Sequence, residues 1–292
     1  MKRSIFRGWL FPLAFLAPQL LISLAFFFWP AGHAIQESFF QSDVWGGGRI
    51  FVGLANFTTL FHDPLYLKSF VTTWIFSFAT AFISLFFGFF LATAVDRVHR
   101  GQATYTTLLL WPYAIAPAVA GVLWMFLFNP SIGIVSGWLH FFGIDWNPLL
   151  HASDALVLTV IAASWKQIAY NFIFFLAGLQ SIPKSIIEAA SIDGASPFRR
   201  LYTIILPLLS PTLFFLMVMN VVYAFFDTFG VIDAATQGGP GQATMTLVYK
   251  SYADGILHND FNSSAAQSVI LTVMVIILTV IQFRFIERRV HY

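Results

Sequence analysis

The sequence predicts an all-α polytopic membrane protein with six transmembrane helices, and three observations predict it. Six stretches approach or exceed the roughly 20 apolar residues that cross a bilayer. They are Trp9–Ala31, Phe70–Val95, Thr106–Phe128, Ala155–Leu179, Thr212–Phe229 and Ala265–Phe283. Of the 292 residues, 58% are hydrophobic and 10% charged, with mean hydropathy +0.78; a soluble domain carries about 25% charged residues. The lysines and arginines, finally, are divided unequally between the segments that join the apolar stretches.

Composition also excludes several kinds of chemistry. The 35 phenylalanines and 9 tryptophans suit a lipid-facing surface rather than a small soluble core. A net charge of +2, with no basic patch interleaved with aromatics, points away from nucleic acid. Cysteine is absent, which removes disulfides, thiol chemistry and Cys-ligated metals. The 7 histidines include no i,i+4 pair of the kind that holds a metal. No paired acid and base or nucleophile set stands near an interface, so the chain is not expected to be an enzyme.

Taken in order, the first stretch follows Lys2, Arg3 and Arg7, as a signal peptide would. Its apolar run is too long for a signal core and no A-x-A site follows, so an uncleaved anchor is expected, bent by Pro12 and Pro18. Lys2, Arg3, Arg7, Arg97, Arg100, Lys184, Arg199, Arg200, Arg284, Arg288 and Arg289 fall on one side of the predicted membrane. Arg49, Lys68 and Lys250 fall on the other. The positive-inside rule then places both termini and the 181–211 loop in the cytoplasm. Of the outer segments, Gly32–Ser69 contains the flexible Gly46-Gly47-Gly48. Asn129–Asp154 holds Ile134–Phe142, too short for a span and aromatic enough for an interfacial helix. Gly230–Ser264 carries the turn cluster Gly238-Gly239-Pro240-Gly241.

Two formal charges fall within the spans, Lys166 and Asp227. An intramembrane lysine costs at least about 2.5–3.5 kcal/mol on insertion scales, so it faces a cavity or a partner. At 1.5 Å per residue, Lys166 lies about 16 Å from the outer end of its helix, near mid-membrane. Ala163, Lys166, Gln167, Tyr170 and Asn171 share a helical face, as do Asn220, Tyr223 and Asp227 on the fifth span. Lys166, Gln167, Tyr170, Asn171, Asn220 and Tyr223 are expected to line a translocation path, while Asp227, towards its mouth, is expected to be structural. Lys166 either attracts an anionic cargo or pairs with a carboxylate or carbonyl of a neighbouring subunit. Both readings stand open.

The loop between the fourth and fifth spans, Ser181 to Pro211, is punctuated as two short helices around an elbow. Ser181 with Pro183 predicts one helix start, over Lys184 to Ser191, and Ser196-Pro197 a second. Asp193-Gly194 is the break between them, since glycine tolerates left-handed backbone. Gly178 to Ser185 approaches a phosphate-binding loop, but Pro183 stands where a glycine is needed and removes a backbone donor. No nucleotide site is expected there.

Glu188-Ala189-Ala190, Asp193-Gly194-Ala195 and Ile204 with Leu206-Pro207 resemble the EAA loop of ABC-importer permeases at the family's spacing. Trp111–Pro130, Trp165–Phe172 and Tyr223–Pro240 extend the likeness to the maltose-type, binding-protein-dependent permeases. Within these it is greatest to the A-type permeases of sn-glycerol-3-phosphate importers. The resemblance implies one permease domain over 1–292, with 181–211 as a cytoplasmic coupling loop. It implies a bacterial inner membrane, a second permease subunit, a cytoplasmic ATPase dimer that binds the ATP and Mg²⁺, and a periplasmic substrate-binding protein. No cofactor is expected in this chain. The residues expected to dock the ATPase are Glu188, Ala189, Ala190, Asp193, Gly194, Arg199 and Arg200. Acidic lipid heads are the alternative contact for the two arginines. The implied cargo is sn-glycerol-3-phosphate, with a neutral sugar or polyol as the alternative. A secondary transporter would need coupling-ion carboxylates or an inverted repeat, and Asp227 alone is thin support for one.

Overall fold

The computed structural model describes residues 10–42, 48–98 and 100–286. Lys2, Arg3, Arg7, Gly46, Gly47, Arg288 and Arg289, on which parts of the topology reading rest, lie outside the described residues. Among the described residues, five helical segments are long and apolar enough to cross a membrane: Pro12–Glu37, Pro64–Asp96, Ala152–Ser181, Ser210–Asp227 and Phe261–Arg284. The third expected span is a bent pair, Gln102–Ala114 and Pro117–Leu127, which meet at 100°. Counted as one, the pair brings the total to six.

The elements run α1 (Leu10–Ser23), α2 (Trp29–Glu37), β1 (Phe40–Ser42), β2 (Arg49–Phe51), α3 (Ala55–His62) and α4 (Pro64–Asp96). Then come α5 (Gln102–Leu110), α6 (Pro117–Leu127), α7 (Ile134–Phe141), α8 (Ala152–Ser181), α9 (Lys184–Ile192), α10 (Pro197–Arg200) and α11 (Leu206–Leu208). The last are α12 (Ser210–Val222), α13 (Phe229–Ala235), α14 (Leu247–Tyr252) and α15 (Phe261–Ile281). Contacts group these into two compact units, residues 1–63 with 251–270, and residues 64–250 with 271–292.

In the first unit, the apolar helix continues through a π turn at Leu24–Phe28 as far as Glu37, beyond the expected Ala31. β1 and β2 then form an antiparallel hairpin with Phe40 opposite Phe51. Arg49 is held by the Glu37 carboxylate at 2.5 Å. Asn262 accepts from the Ser42 amide and hydroxyl at 3.0 and 2.8 Å, which ties the hairpin to α15.

The second unit is built on α4 against α8. The face of α4 turned inward carries small and hydroxylic residues, Ser69, Thr73, Ser77, Thr80, Ser84, Gly88 and Ala92, so the two backbones come close. Gly88 is the tightest point, since an added Cβ would stand 2.6 Å from the Asn171 Cβ. Apolar clusters fill this unit. One joins Ala92, Val95, Phe172, Phe175, Leu179, Ile182, Leu209 and Leu216. Another joins Phe128, Trp146, Leu158 and Ala235, where the indole of Trp146 donates to the Phe128 carbonyl at 3.2 Å. The short aromatic segment after the third span forms α7, with Trp138 and Phe141 exposed. The Gly238–Gly241 turn has left-handed backbone at Gly238 (φ +78) and Gly241 (φ +54), and Lys68 donates to the Gly241 carbonyl at 2.7 Å.

Candidate functional site

The break in the third span builds the site. Pro117 begins α6, and its ring drives the preceding Ala116 out of the helical region, to φ −60° and ψ 143°. Ile115 is extended as well, at φ −79° and ψ 134°. Two extended residues turn the chain and leave a corner carbonyl with no helical donor. The Lys166 ammonium, from the middle of α8, donates to that carbonyl of Ile115. Lys166 and Gln167 are buried, at 8% and 5% exposure. The sequence reading allowed Lys166 a carbonyl partner in another subunit; the structure supplies one in the same chain.

Around this contact lies a cavity of about 280 Å³, lined by Tyr113, Pro117, Lys166, Gln167, Tyr170, Met219, Val222, Tyr223 and Asp227. Four of the six residues expected along the path, Lys166, Gln167, Tyr170 and Tyr223, therefore come together on one wall system. The rings of Tyr113 and Tyr170 lie 5.7 Å apart, and the Tyr223 hydroxyl donates to the Ala163 carbonyl at 3.1 Å. Asp227 faces the same cavity, so the two intramembrane charges sit around one space.

Asn171 and Asn220 do something else. Their side-chain amides bond each other reciprocally, at 3.1 and 2.8 Å, and Asn220 also donates to the Leu216 carbonyl at 2.7 Å. Both are buried, at 0% and 1% exposure, and they clasp α8 to α12 rather than lining the cavity. Helical geometry explains the division. Asn171 is one residue, about 100° of rotation, past Tyr170. The helix that carries Asn220 passes into a π turn at Tyr223–Asp227, which swings Tyr223 and Asp227 away from the 3.6-residue register of Asn220.

Tyr113, Pro117, Met219 and Val222 are the lining residues that spacing along single helices missed. Two prolines five residues apart in an apolar span, Pro112 and Pro117, were the available signal for Tyr113 and Pro117. Met219 and Val222 left none.

The 181–211 segment has the elbow its sequence predicts, with one correction. Ser181 is the last residue of α8, and its hydroxyl bonds back to the Gly178 carbonyl at 2.7 Å. Pro183, at φ −57° and ψ 122°, occupies the cap position of α9, which has no side-chain cap. Gly194 is left-handed at φ +77°, and the Ala195 amide reaches back to the Ala190 carbonyl at 3.0 Å to close α9. Ser196 caps α10 by accepting from the Arg199 amide at 3.3 Å. Glu188, Ala189, Asp193, Gly194 and Arg199 are exposed, and Ala190 and Arg200 partly so. Ile192 is 86% and Phe198 70% exposed, beside these polar groups.

The elbow is clamped at both ends. Ile182 before it and Leu209 after it belong to the same buried cluster as Phe172, Phe175 and Leu216. Gly178 owes its lack of a side chain to this packing, since a Cβ there would meet Leu209 Cδ2 at 2.8 Å. The two ends of the elbow are thus packed against α8 and α12, both of which contribute residues to the cavity.

Residues 50–292 match the family described as "Binding-protein-dependent transport system inner membrane component". The chain is 56% identical over 292 residues, all of each chain, to a Brucella abortus protein named sn-glycerol-3-phosphate transport system permease protein UgpA. It is 57% identical over 285 residues, 98% of this chain and 96% of the other, to the protein of that name from Yersinia enterocolitica. Among solved structures, it is similar in fold to a chain of a bacterial ABC transporter involved in the import of the acidic polysaccharide alginate. That match has TM-score 0.83 and 21% identity, and covers 98% of both chains.

Proposed function

The chain belongs to the family of binding-protein-dependent transport system inner membrane components, and on that premise we propose that its cargo is sn-glycerol-3-phosphate. It is a permease subunit of an ABC importer, seated in the inner membrane, and performs no covalent chemistry itself. The observation that carries the cargo reading is identity of 54–57% over essentially whole chains to proteins named for that transport. A buried lysine on the wall of a small cavity, with Gln167 and two tyrosines beside it, suits a compact anion.

In this reading the cavity is one station of the translocation path, with Lys166, Gln167, Tyr170 and Tyr223 on its wall. Asn171 and Asn220 hold that wall's helices together. The termini and the 181–211 elbow are cytoplasmic, which is supported by the division of lysines and arginines. Glu188, Ala189, Ala190, Asp193, Gly194, Arg199 and Arg200 form the docking face for a cytoplasmic ATPase dimer. The ATP and Mg²⁺ are bound by that dimer, not by this chain. A second permease subunit completes the passage, and a periplasmic binding protein delivers the cargo. ATP-driven closure of the ATPases moves the elbow, and its clamped ends rock α8 and α12 between outward-open and inward-open states.

The test is uptake of labelled sn-glycerol-3-phosphate by cells whose only importer for it contains this chain. Excess unlabelled sn-glycerol-3-phosphate is expected to abolish the signal, and glycerol or a neutral disaccharide to leave it. Inhibition by the neutral solute alone would assign the chain a neutral sugar or polyol instead.

A further inference from the structure

We infer that the cavity contains an anion subsite in which the Lys166 ammonium exchanges one acceptor for another, leaving the Ile115 carbonyl for a phosphate group of the cargo. The inference rests on the cargo reading above and adds to it a link between cargo and backbone. The structure shows the first acceptor: the Nζ donates to the corner carbonyl of the 100° break. The second follows from where the ammonium lies. Lys166 is 92% buried yet lines an open cavity, together with the polar side chains of Tyr113, Gln167 and Tyr170.

The exchange has a direction. A carbonyl offers the ammonium a neutral dipole, whereas a phosphate oxygen offers a full charge, and bonds between two ionised groups are the shorter and stronger. For a side chain only 8% exposed that difference grows. Asp227 on the same cavity balances Lys166 in formal charge, so an arriving anion meets an attractive group without falling into an uncompensated positive trap.

The exchange also has a consequence. Ile115 and Ala116 are extended, and the Ala116 carbonyl is already taken by the Ala120 amide at 3.1 Å. The Lys166 bond is a side-chain contact that braces the corner at Ile115. Its transfer to cargo leaves that corner less constrained, so occupancy of the cavity is reported to the angle between α5 and α6. A neutral polyol, which cannot outbid the carbonyl, would leave the brace in place.

The chain has no native cysteine, so Leu108→Cys and Val122→Cys, both exposed and on opposite sides of the break, take spin labels at unique places in it. Pulsed EPR on the assembled importer in lipid nanodiscs reads the distance between them. Binding protein loaded with sn-glycerol-3-phosphate is expected to shift or broaden the distance distribution, and glycerol to leave it unchanged. Lys166→Met is expected to broaden the distribution without cargo and to abolish the response to the phosphate. A Lys166→Met importer that still responds would overturn the exchange. If Lys166→Met does not assemble, the phosphate-versus-glycerol comparison in the otherwise native chain decides alone. ATP-driven uptake measured on the same complex in liposomes separates the two claims. Uptake with no change across the break overturns the exchange only; neither uptake nor change overturns the cargo assignment with it.

Discussion

Replacing Gly194 with valine is expected to reduce uptake to background and weaken ATPase attachment while leaving membrane insertion intact. The reason is backbone, not space. Gly194 sits at φ +77°, and nothing lies within 4 Å of a Cβ added there. Left-handed backbone costs an ordinary L-residue about 1–2 kcal/mol, and a β-branched one is a true outlier there. Valine would pull the junction of α9 and α10 towards another geometry, carrying Glu188 and Arg199 out of their relation to each other. Asparagine, which visits the left-handed region readily, is expected to retain most uptake. Transport assays and co-purification of the ATPase check both variants. Full uptake by Gly194→Val with the ATPase bound would remove the elbow from the mechanism.

Pro117→Ala is expected to lower uptake about tenfold or more in a complex that still assembles, since a loss of about 1.4 kcal/mol in productive geometry suffices for that factor. Pro117 enforces the extended Ala116 and has no amide to donate to the preceding turn. Alanine removes both constraints and favours a continuous helix from α5 into α6. Tyr113 and residue 117 would then leave the cavity wall, and the Ile115 carbonyl would find a backbone donor in place of Lys166. The assay is initial-rate uptake, with the spin-label distance between residues 108 and 122 reporting the straightening. Unchanged uptake from a straightened span would show that the bend is incidental to transport.

Local features were the legible ones. The left-handed Gly194 and the Ser196-Pro197 cap follow from residues adjacent in the chain, and both stand in the structure as their chemistry predicts. Ser181 was misread because the same hydroxyl that caps a following helix can also bond backwards, and α8 runs on to include it. Lys166 was legible as an intramembrane charge that must have a partner. Which partner was not, because the Ile115 carbonyl is 51 residues away and becomes available only where the third span breaks. Hydropathy averages across that break: Trp111-Pro-Tyr-Ala-Ile-Ala-Pro117 is apolar enough to read as one crossing. The asparagines show the limit of face arguments. Asn171 and Asn220 share helical stripes with cavity residues, yet each bonds the other, between the helices.

The hairpin Phe40–Phe51 was not anticipated, since its strands are three residues each and sit inside a segment read as a loop. It is held by groups distant in the chain, Asn262 on Ser42 and Asn56 on the Ser38 and Phe40 carbonyls, with Glu37 on Arg49. Arg49 is thus engaged by a carboxylate of its own chain.

The central claim is that an ATPase elsewhere works this passage through the 181–211 elbow. It is tested most directly by accumulation of labelled sn-glycerol-3-phosphate in liposomes containing the two permease subunits, with and without the ATPase dimer. Accumulation is predicted only with the ATPase, ATP and loaded binding protein all present, and vanadate is predicted to stop it. Concentrative uptake by the permease subunits alone would contradict the account.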